Sequence, residues 1–316
     1  MAEDSAPLLH IGYQKTGSTW LQEHFFRSSS LPFRRADRRT VNEIFVRPSP
    51  LAFDPDAARG ALAPFIADAR AAGALPVLSQ ERLTGAITLG GIDSKEIAGR
   101  LAAVFPGARV LIVIRKQDAM ILSNYKQYAR VGGVMSLGRF LRPTKQVRSV
   151  PQFDPVFFEY DRLIRIYHGL FGPERVLVLA YEHLRDDPAD FVARIYRFCE
   201  FEPPSMPQDS EKLNVSYSGP VLSAKRWYNL WFVGGPYNPG CIAPVGENKL
   251  VTMTFAALNR LVPASCKAWS DRRMLGLIRL VVGERYRESN ARTSALTGLD
   301  LSRWNYDLPP EESGRQ

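Results

Sequence analysis

The stretch HIGYQKTGSTWLQ, residues 10–22, restricts this chain more than any other. It follows the apolar pair Leu8–Leu9 and runs into a helix-like pattern, which reads as strand, glycine-rich turn, helix. Gly12, Gly17 and Thr19 fall in register with the phosphate loop G-x-x-x-x-G-K-[ST]. The lysine of that motif is missing: Ser18 stands in its place, and Lys15 lies inside the loop instead. Such a turn presents backbone N–H groups at a helix N-terminus, and with the helix dipole these make an anion site. The two glycines allow close approach, Ser18 and Thr19 add hydroxyls, and Lys15 reaches an anion from within the loop. In triphosphate enzymes the lysine after the second glycine holds the β- and γ-phosphates, and a strand-end aspartate helps to hold magnesium. Here the lysine has moved, and neither LIVIR nor LVLAY ends in aspartate. The loop therefore suits an anion that needs no magnesium. The plain alternative is a structural glycine turn with no ligand.

Alternating strand-like and helix-like segments place the loop in an α/β fold with a central parallel sheet flanked by helices, similar to a P-loop NTPase. LLHIG (8–12), LPVLS (75–79), RVLIVIR (109–115) and RVLVLAY (175–181) read as strands; the third is apolar and β-branched throughout, as a central parallel strand should be. Residues 54–73 read as a helix capped by Asp54, and 93–105 as a helix with Asp93 and Glu96 at capping-box spacing. Residues 154–172, 187–201 and 271–289 read as further helices. Residues 129–152 and 202–250 read as long lid loops, the second around the aromatic stretch KRWYNLWF. No linker or repeat is visible, so the expectation is one domain over 1–316 with flexible tails at 1–7 and 311–316.

Charge narrows the ligand. The formal net charge is +9, which suits anionic ligands, acidic polymers or a membrane surface. No nucleic-acid recognition motif accompanies it. Cys199, Cys241 and Cys266 are few and far apart, which gives neither a disulfide framework nor a metal site and points to a reducing compartment. Without a signal-peptide layout or a long apolar run, the expectation is a cytoplasmic protein.

A second anion group follows the strand VLIVIR. Arg115 at its carboxyl end points to the crevice where open α/β sheets bind ligands, and Ser123 follows two turns into the next helix. Together they read as a phosphate clamp; an ion-paired strand-end arginine is the alternative. YQKTGSTW resembles the 5′-phosphosulfate loop of the sulfotransferases, Y-P-K-[ST]-G-[ST]-[ST]-W, with Gln14 in place of the usual proline. VIRKQDAMILSNY resembles their 3′-phosphate motif, with Arg115 and Ser123 at the family spacing. VLVLAYEHLRDDP looks like a later strand and its turn, with Glu182, Leu184 and Pro188, and the tail ESNARTSALTGLDLSRWNYDLP is similar to the ends of many bacterial members.

The resemblance implies that the anion is 3′-phosphoadenosine 5′-phosphosulfate (PAPS), used without metal. It implies that Lys15 stabilises the leaving phosphate oxygen, that Thr16, Gly17, Ser18 and Thr19, beside Gln14, cradle the 5′-phosphate, and that Trp20 stacks on adenine. Trp20 as a core aromatic is the alternative.

The reaction needs a base for the acceptor hydroxyl. The K-T-H motif of the cytosolic small-molecule members is absent, and VLSQERL puts Glu81 just past the second strand, similar to the S-S-E segment of bacterial members. Glu81 is the candidate base, with Glu23 as reserve and His24 behind it; Glu81 paired to Arg82 or another arginine is the plain alternative. Asn214, Ser216, Lys225 and Arg226 lie where other members place further 3′-phosphate contacts. The acceptor implied is a hydroxyl on a saccharide, a glycolipid or a similar metabolite. KRWYNLWF reads as an acceptor wall, a peripheral contact with the inner membrane, or a packed lid. The rival readings are a P-loop small-molecule kinase and a catalytically inactive nucleotide- or glycan-binding module on the same fold.

Overall fold

The computed structural model describes residues 6–26, 32–142, 153–203, 217–235, 237–238, 240–243 and 249–310. The candidate contacts Asn214 and Ser216 lie outside them.

In chain order the strands are β1 (Leu8–Gly12), β2 (Phe33–Arg35), β3 (Leu75–Ser79), β4 (Arg109–Ile114) and β5 (Val176–Ala180). The helices are α1 (Ser18–Trp20), which widens into a further turn over Leu21–Phe25, then α2 (Arg38–Phe45), α3 (Pro55–Ala71), α4 (Ser94–Val104), α5 (Gln117–Arg130), α6 (Leu137–Phe140) and α7 (Tyr160–Phe171). They continue with α8 (Tyr181–Asp186), α9 (Pro188–Phe198), α10 (Gly219–Phe232), α11 (Lys249–Leu261), α12 (Ala264–Val282) and α13 (Arg287–Thr297).

The chain divides into two compact units. The first is built from residues 1–116, 154–213 and 285–316. It holds all five strands in one parallel sheet of order β2-β3-β1-β4-β5. β1, β3 and β4 are buried almost to the last side chain, as strands covered on both faces must be. Leu8, Val77, Leu111, Val113 and Leu179 pack from the sheet onto Phe25, Phe26, Phe191, Ile195 and Tyr196. β1 lies between β3 and β4, where the order reverses, and parallel sheets bind ligands beyond the strand ends at that point.

The second unit comprises residues 117–153 and 214–284. In it α10 and α12 pack on α5. Asn229 Nδ2 of α10 donates to the carbonyls of Ala129 at 2.7 Å and Gly133 at 3.0 Å. Lys126 Nζ meets both carboxylate oxygens of Asp271 at 2.8 Å.

Several local expectations change. Residues 202–250 are not loop throughout: α10 runs through KRWYNLWF, with Pro220 in its first turn, where a missing N–H costs nothing. The helix expected over 271–289 is two helices, because Gly283 turns left-handed (φ 52°) after α12. Residues 154–172 begin as a tight turn at Pro155–Phe158 before α7. The capping box at Asp93 does not form. Its carboxylate instead accepts from Arg82 Nη2 and from the Ala86 N–H, both at 2.7 Å. Asp54 caps α3 as expected, accepting from the N–H groups of Asp56 and Ala57.

Candidate functional site

The site is built where β1 ends. Gly12 has φ 99°, and a Cβ there would lie 3.1 Å from Glu81 Cα. Glycine is thus what lets the loop pass against Glu81, two residues past β3. Gly17 is left-handed too (φ 82°), and a Cβ on it would meet Leu184 Cδ2 at 2.7 Å. Between them Lys15 adopts φ 66°, a conformation that costs a non-glycine residue about 1 kcal/mol. Such a backbone in a ligand-type loop points to a functional constraint.

Leu21 N–H donates to Gly17 O at 3.1 Å, the first helical bond. The amides of Ser18, Thr19 and Trp20 precede it and have no partner within the helix. Two of the loop hydroxyls work locally. Thr16 Oγ1 donates to Tyr13 O at 2.5 Å, and Ser18 Oγ donates to Glu81 Oε1 at 2.9 Å. Thr19 is exposed, and Gln14 and Lys15 are half-buried at the surface of the loop.

Glu81 is the most connected of the candidates. It is buried, and besides Ser18 it takes Arg38 Nη2 on Oε2 at 3.1 Å. Burial pushes its carboxyl up, but the Arg38 charge, its own backbone N–H, the Ser18 hydroxyl and nearby His10 outweigh this and hold it below the usual glutamate value. Arg82 takes no part, since it pairs with Asp93; an arginine pair does form at Glu81, but through Arg38. Under this group lies a polar cluster that the sequence did not announce. His10 Nδ1 is 2.7 Å from Ser79 Oγ, and Gln22 Nε2 donates to the same oxygen at 3.1 Å. Desolvation lowers His10 to about 4 against the pull of Glu81, so its ring is neutral at pH 7.

Arg115 joins the loop from β4. Its Nη1 donates to the carbonyl of Lys15 at 3.0 Å, and its guanidinium carbon lies 4.7 Å from the centre of the Tyr181 ring. Its own carbonyl accepts from Tyr160 Oη at 2.5 Å. The next amide, Lys116 N–H, donates to Glu182 Oε1 at 3.1 Å, and Tyr306 Oη donates to Glu182 Oε2 at 3.0 Å. Glu182, Leu184 and the C-terminal segment thus brace the loop and the arginine.

The remaining candidates are placed as follows. Trp20 is partly buried, packs against the core and stacks with Phe25 at 6.4 Å. Ser123 is half-buried on α5, in the second unit. Lys225 is fully buried in that unit, its Nζ 5.2 Å from the ring centres of both Tyr228 and Phe255. Arg226 donates through Nε and Nη2 to Val134 O at 3.2 and 3.1 Å. The reserve base Glu23 pairs with Arg35 at 3.4 Å. Among the described residues no helix is long and apolar enough to cross a membrane.

Sequence reasoning missed Arg38 and the His10–Ser79–Gln22 cluster. Arg38 left a signal: DRRTVNEIF carries Asp37 as an N-cap, with Val41 and Phe45 one helical turn apart. That predicts α2, but not the pairing of its first residue with Glu81, 43 residues on.

Comparison with solved structures returns sulfotransferases at low identity. One from Alicyclobacillus acidocaldarius is 17% identical, with 72% of this chain and 93% of that one covered and a TM-score of 0.48. The sulfotransferase domain of the curacin biosynthetic pathway is 13% identical over 98% of this chain and 100% of that one, with a TM-score of 0.41. A mouse sulfotransferase complexed with PAP is 12% identical over 92% and 89%, with a TM-score of 0.33. These likenesses carry no argument about residues or substrate. No curated protein matches the chain. Residues 95–204, which include Arg115, Ser123 and Glu182, match the model described as "Sulfotransferase family". That match agrees with the resemblance carried by the arginine motif; it covers about a third of the chain and does not reach the loop at residues 10–22.

Proposed function

We propose that the protein moves the sulfuryl group of PAPS to a hydroxyl of a saccharide, a glycolipid or a related acceptor by in-line displacement, with Glu81 as the base. The observation that carries this reading is the meeting of Lys15, Ser18, Glu81 and Arg115 around one glycine turn at the end of β1. The donor set suits a sulfonucleotide: amides at a helix start without an intrahelical partner, a lysine within the loop and a strand-end arginine. PAPS supplies the activated sulfuryl group when bound.

The chain's own groups divide the remaining work. The amides of Thr16, Gly17, Ser18 and Thr19 and the exposed Thr19 hydroxyl, beside Gln14, hold the 5′-phosphate. Lys15 meets the negative charge that grows on the departing phosphate oxygen, an interaction stronger in the transition state than before it. Arg115 holds the 3′-phosphate and Trp20 the adenine. Glu81 takes the acceptor proton. Arg38 keeps it ionised, the form a base needs, at some cost in basicity. That Glu81 Oε1 accepts from the Ser18 hydroxyl supports its capacity to take a hydroxyl donor. The protein's basic balance suits an acidic glycan, and the glutamate base and the absent K-T-H motif favour saccharide acceptors.

The test is calorimetric titration with 3′-phosphoadenosine 5′-phosphate in EDTA. Micromolar binding that Arg115→Ala weakens by ~1.5–3 kcal/mol supports the reading. An acceptor screen with labelled PAPS then follows, with Glu81→Gln as the inactive control. Binding of magnesium ATP in place of the sulfonucleotide would sink the proposal and return the kinase.

A further inference from the structure

The second unit carries apolar residues on the wrong side of its helices. On α11 Leu250, Met253, Ala257 and Leu261 follow one another at spacings of three and four, so they line one face, and Leu261 is 79% exposed. The opposite face, Phe255 and Asn259, is the buried one. On α12 Trp269, Leu277, Leu280 and Val281 are the exposed apolar residues, with Leu280 at 80% exposure and Ile278 buried behind. On α10 Trp227, Leu230 and Trp231 face outward, Trp227 at 66%, while Leu222, Lys225 and Asn229 face in. Single exposed leucines are ordinary; three helices with periodic apolar outer faces are not. Both α11 and α12 pack on α10, so the three belong to one body.

The charge on these helices identifies what covers the faces. Arg272 and Arg273 flank the Trp269–Leu280 stripe, Arg260 borders that of α11, and Lys267 lies in the first turn of α12. No carboxylate holds any of the four among the described residues. The one acidic residue of α12, Asp271, is turned to Lys126. A surface of leucine and tryptophan with interleaved arginine and no carboxylate of its own is complementary to an anionic lipid surface. There tryptophan sits at the headgroup level, and arginine meets the phosphates while its stem stays in apolar contact. A second copy of the chain would bring the same positive faces together, which charge disfavours.

We propose that α10, α11 and α12 dock on the surface of a bilayer that contains anionic phospholipid, with Trp227, Trp231, Trp269, Leu250, Leu261 and Leu280 entering the interface. The inference does not rest on the transferase reading: it concerns the second unit alone and is tested without substrate.

The test is flotation of the full chain with vesicles of phosphatidylcholine, with and without phosphatidylglycerol. Co-flotation with the anionic vesicles, reduced by salt, and a blue shift of tryptophan emission are expected. Leu250→Asn/Leu261→Asn/Leu280→Asn is expected to abolish it; these side chains are exposed, so an unchanged melting temperature verifies the fold. Arg272→Gln and Arg273→Gln are each expected to weaken partitioning about fivefold. No flotation at any anionic lipid content overturns the proposal. So does a stable dimer in which the three leucines are protected, since a second copy then covers the faces.

Discussion

Glu81 shows how a single residue answers to opposed demands. Burial would neutralise it, and Arg38 keeps it charged. Replacing Arg38 by alanine removes the strongest cause that lowers its pKa and leaves the burial that raises it. A carbon-detected NMR titration is therefore expected to place the Glu81 carboxyl higher in Arg38→Ala than in the wild type, and an unmoved carboxyl would show that Arg38 does not set it. His10 answers chiefly to burial, which outweighs the opposing pull of Glu81. Its value in the fold is about 4 against 6.5 unfolded, so the unfolded chain binds the extra proton first as pH falls. Stability from a neutral His10 is complete above pH 6.5 and is lost down to about 4, with a slope approaching 1.4 kcal/mol per pH unit. Urea melts of His10→Gln across that window are expected to be flatter than those of the wild type. At this scale the sequence was half legible. The loop residues and Arg115 announced themselves because motif spacing is local. Arg38, Ser79 and Gln22 did not, because their roles depend on which strands end side by side.

At the scale of elements, periodicity and strand composition were reliable guides. β1, β3, β4 and β5 all stand where apolar runs placed them, since a strand covered on both faces has no other composition available to it. β2 is only three residues, FRR, too short to show a period. α10 was hidden by the proline and glycine around it, although a proline in the first turn is compatible with a helix. The pairing of α5 with α12 was invisible as well, because Lys126 and Asp271 are 145 residues apart. That pair is nearly buried on the lysine side. Asp271→Ala is expected to destabilise the protein by about 3 kcal/mol in chemical denaturation, and Lys126→Met/Asp271→Leu by much less, because the double change leaves no charge behind.

At the scale of the whole molecule, neither unit is a contiguous piece of chain. The first closes only with residues 285–316, and the second needs residues 117–153. A fragment of residues 214–284 lacks the carbonyls of Ala129 and Gly133 that hold Asn229, and Lys126 that holds Asp271. Circular dichroism of that fragment is expected to show no cooperative melt. The strand order has a bearing on biosynthesis as well. β1 leaves the ribosome before the other described strands and lies at the centre of the sheet, between β3 and β4. Neither neighbour exists until residues 75–79 and 109–114 have been made. At ~5–20 residues per second the apolar Leu8–Ile11 segment waits several seconds for its first partner, a window that suits chaperone capture. The sheet then closes inside out, and the anion loop takes shape only after residue 114 has emerged.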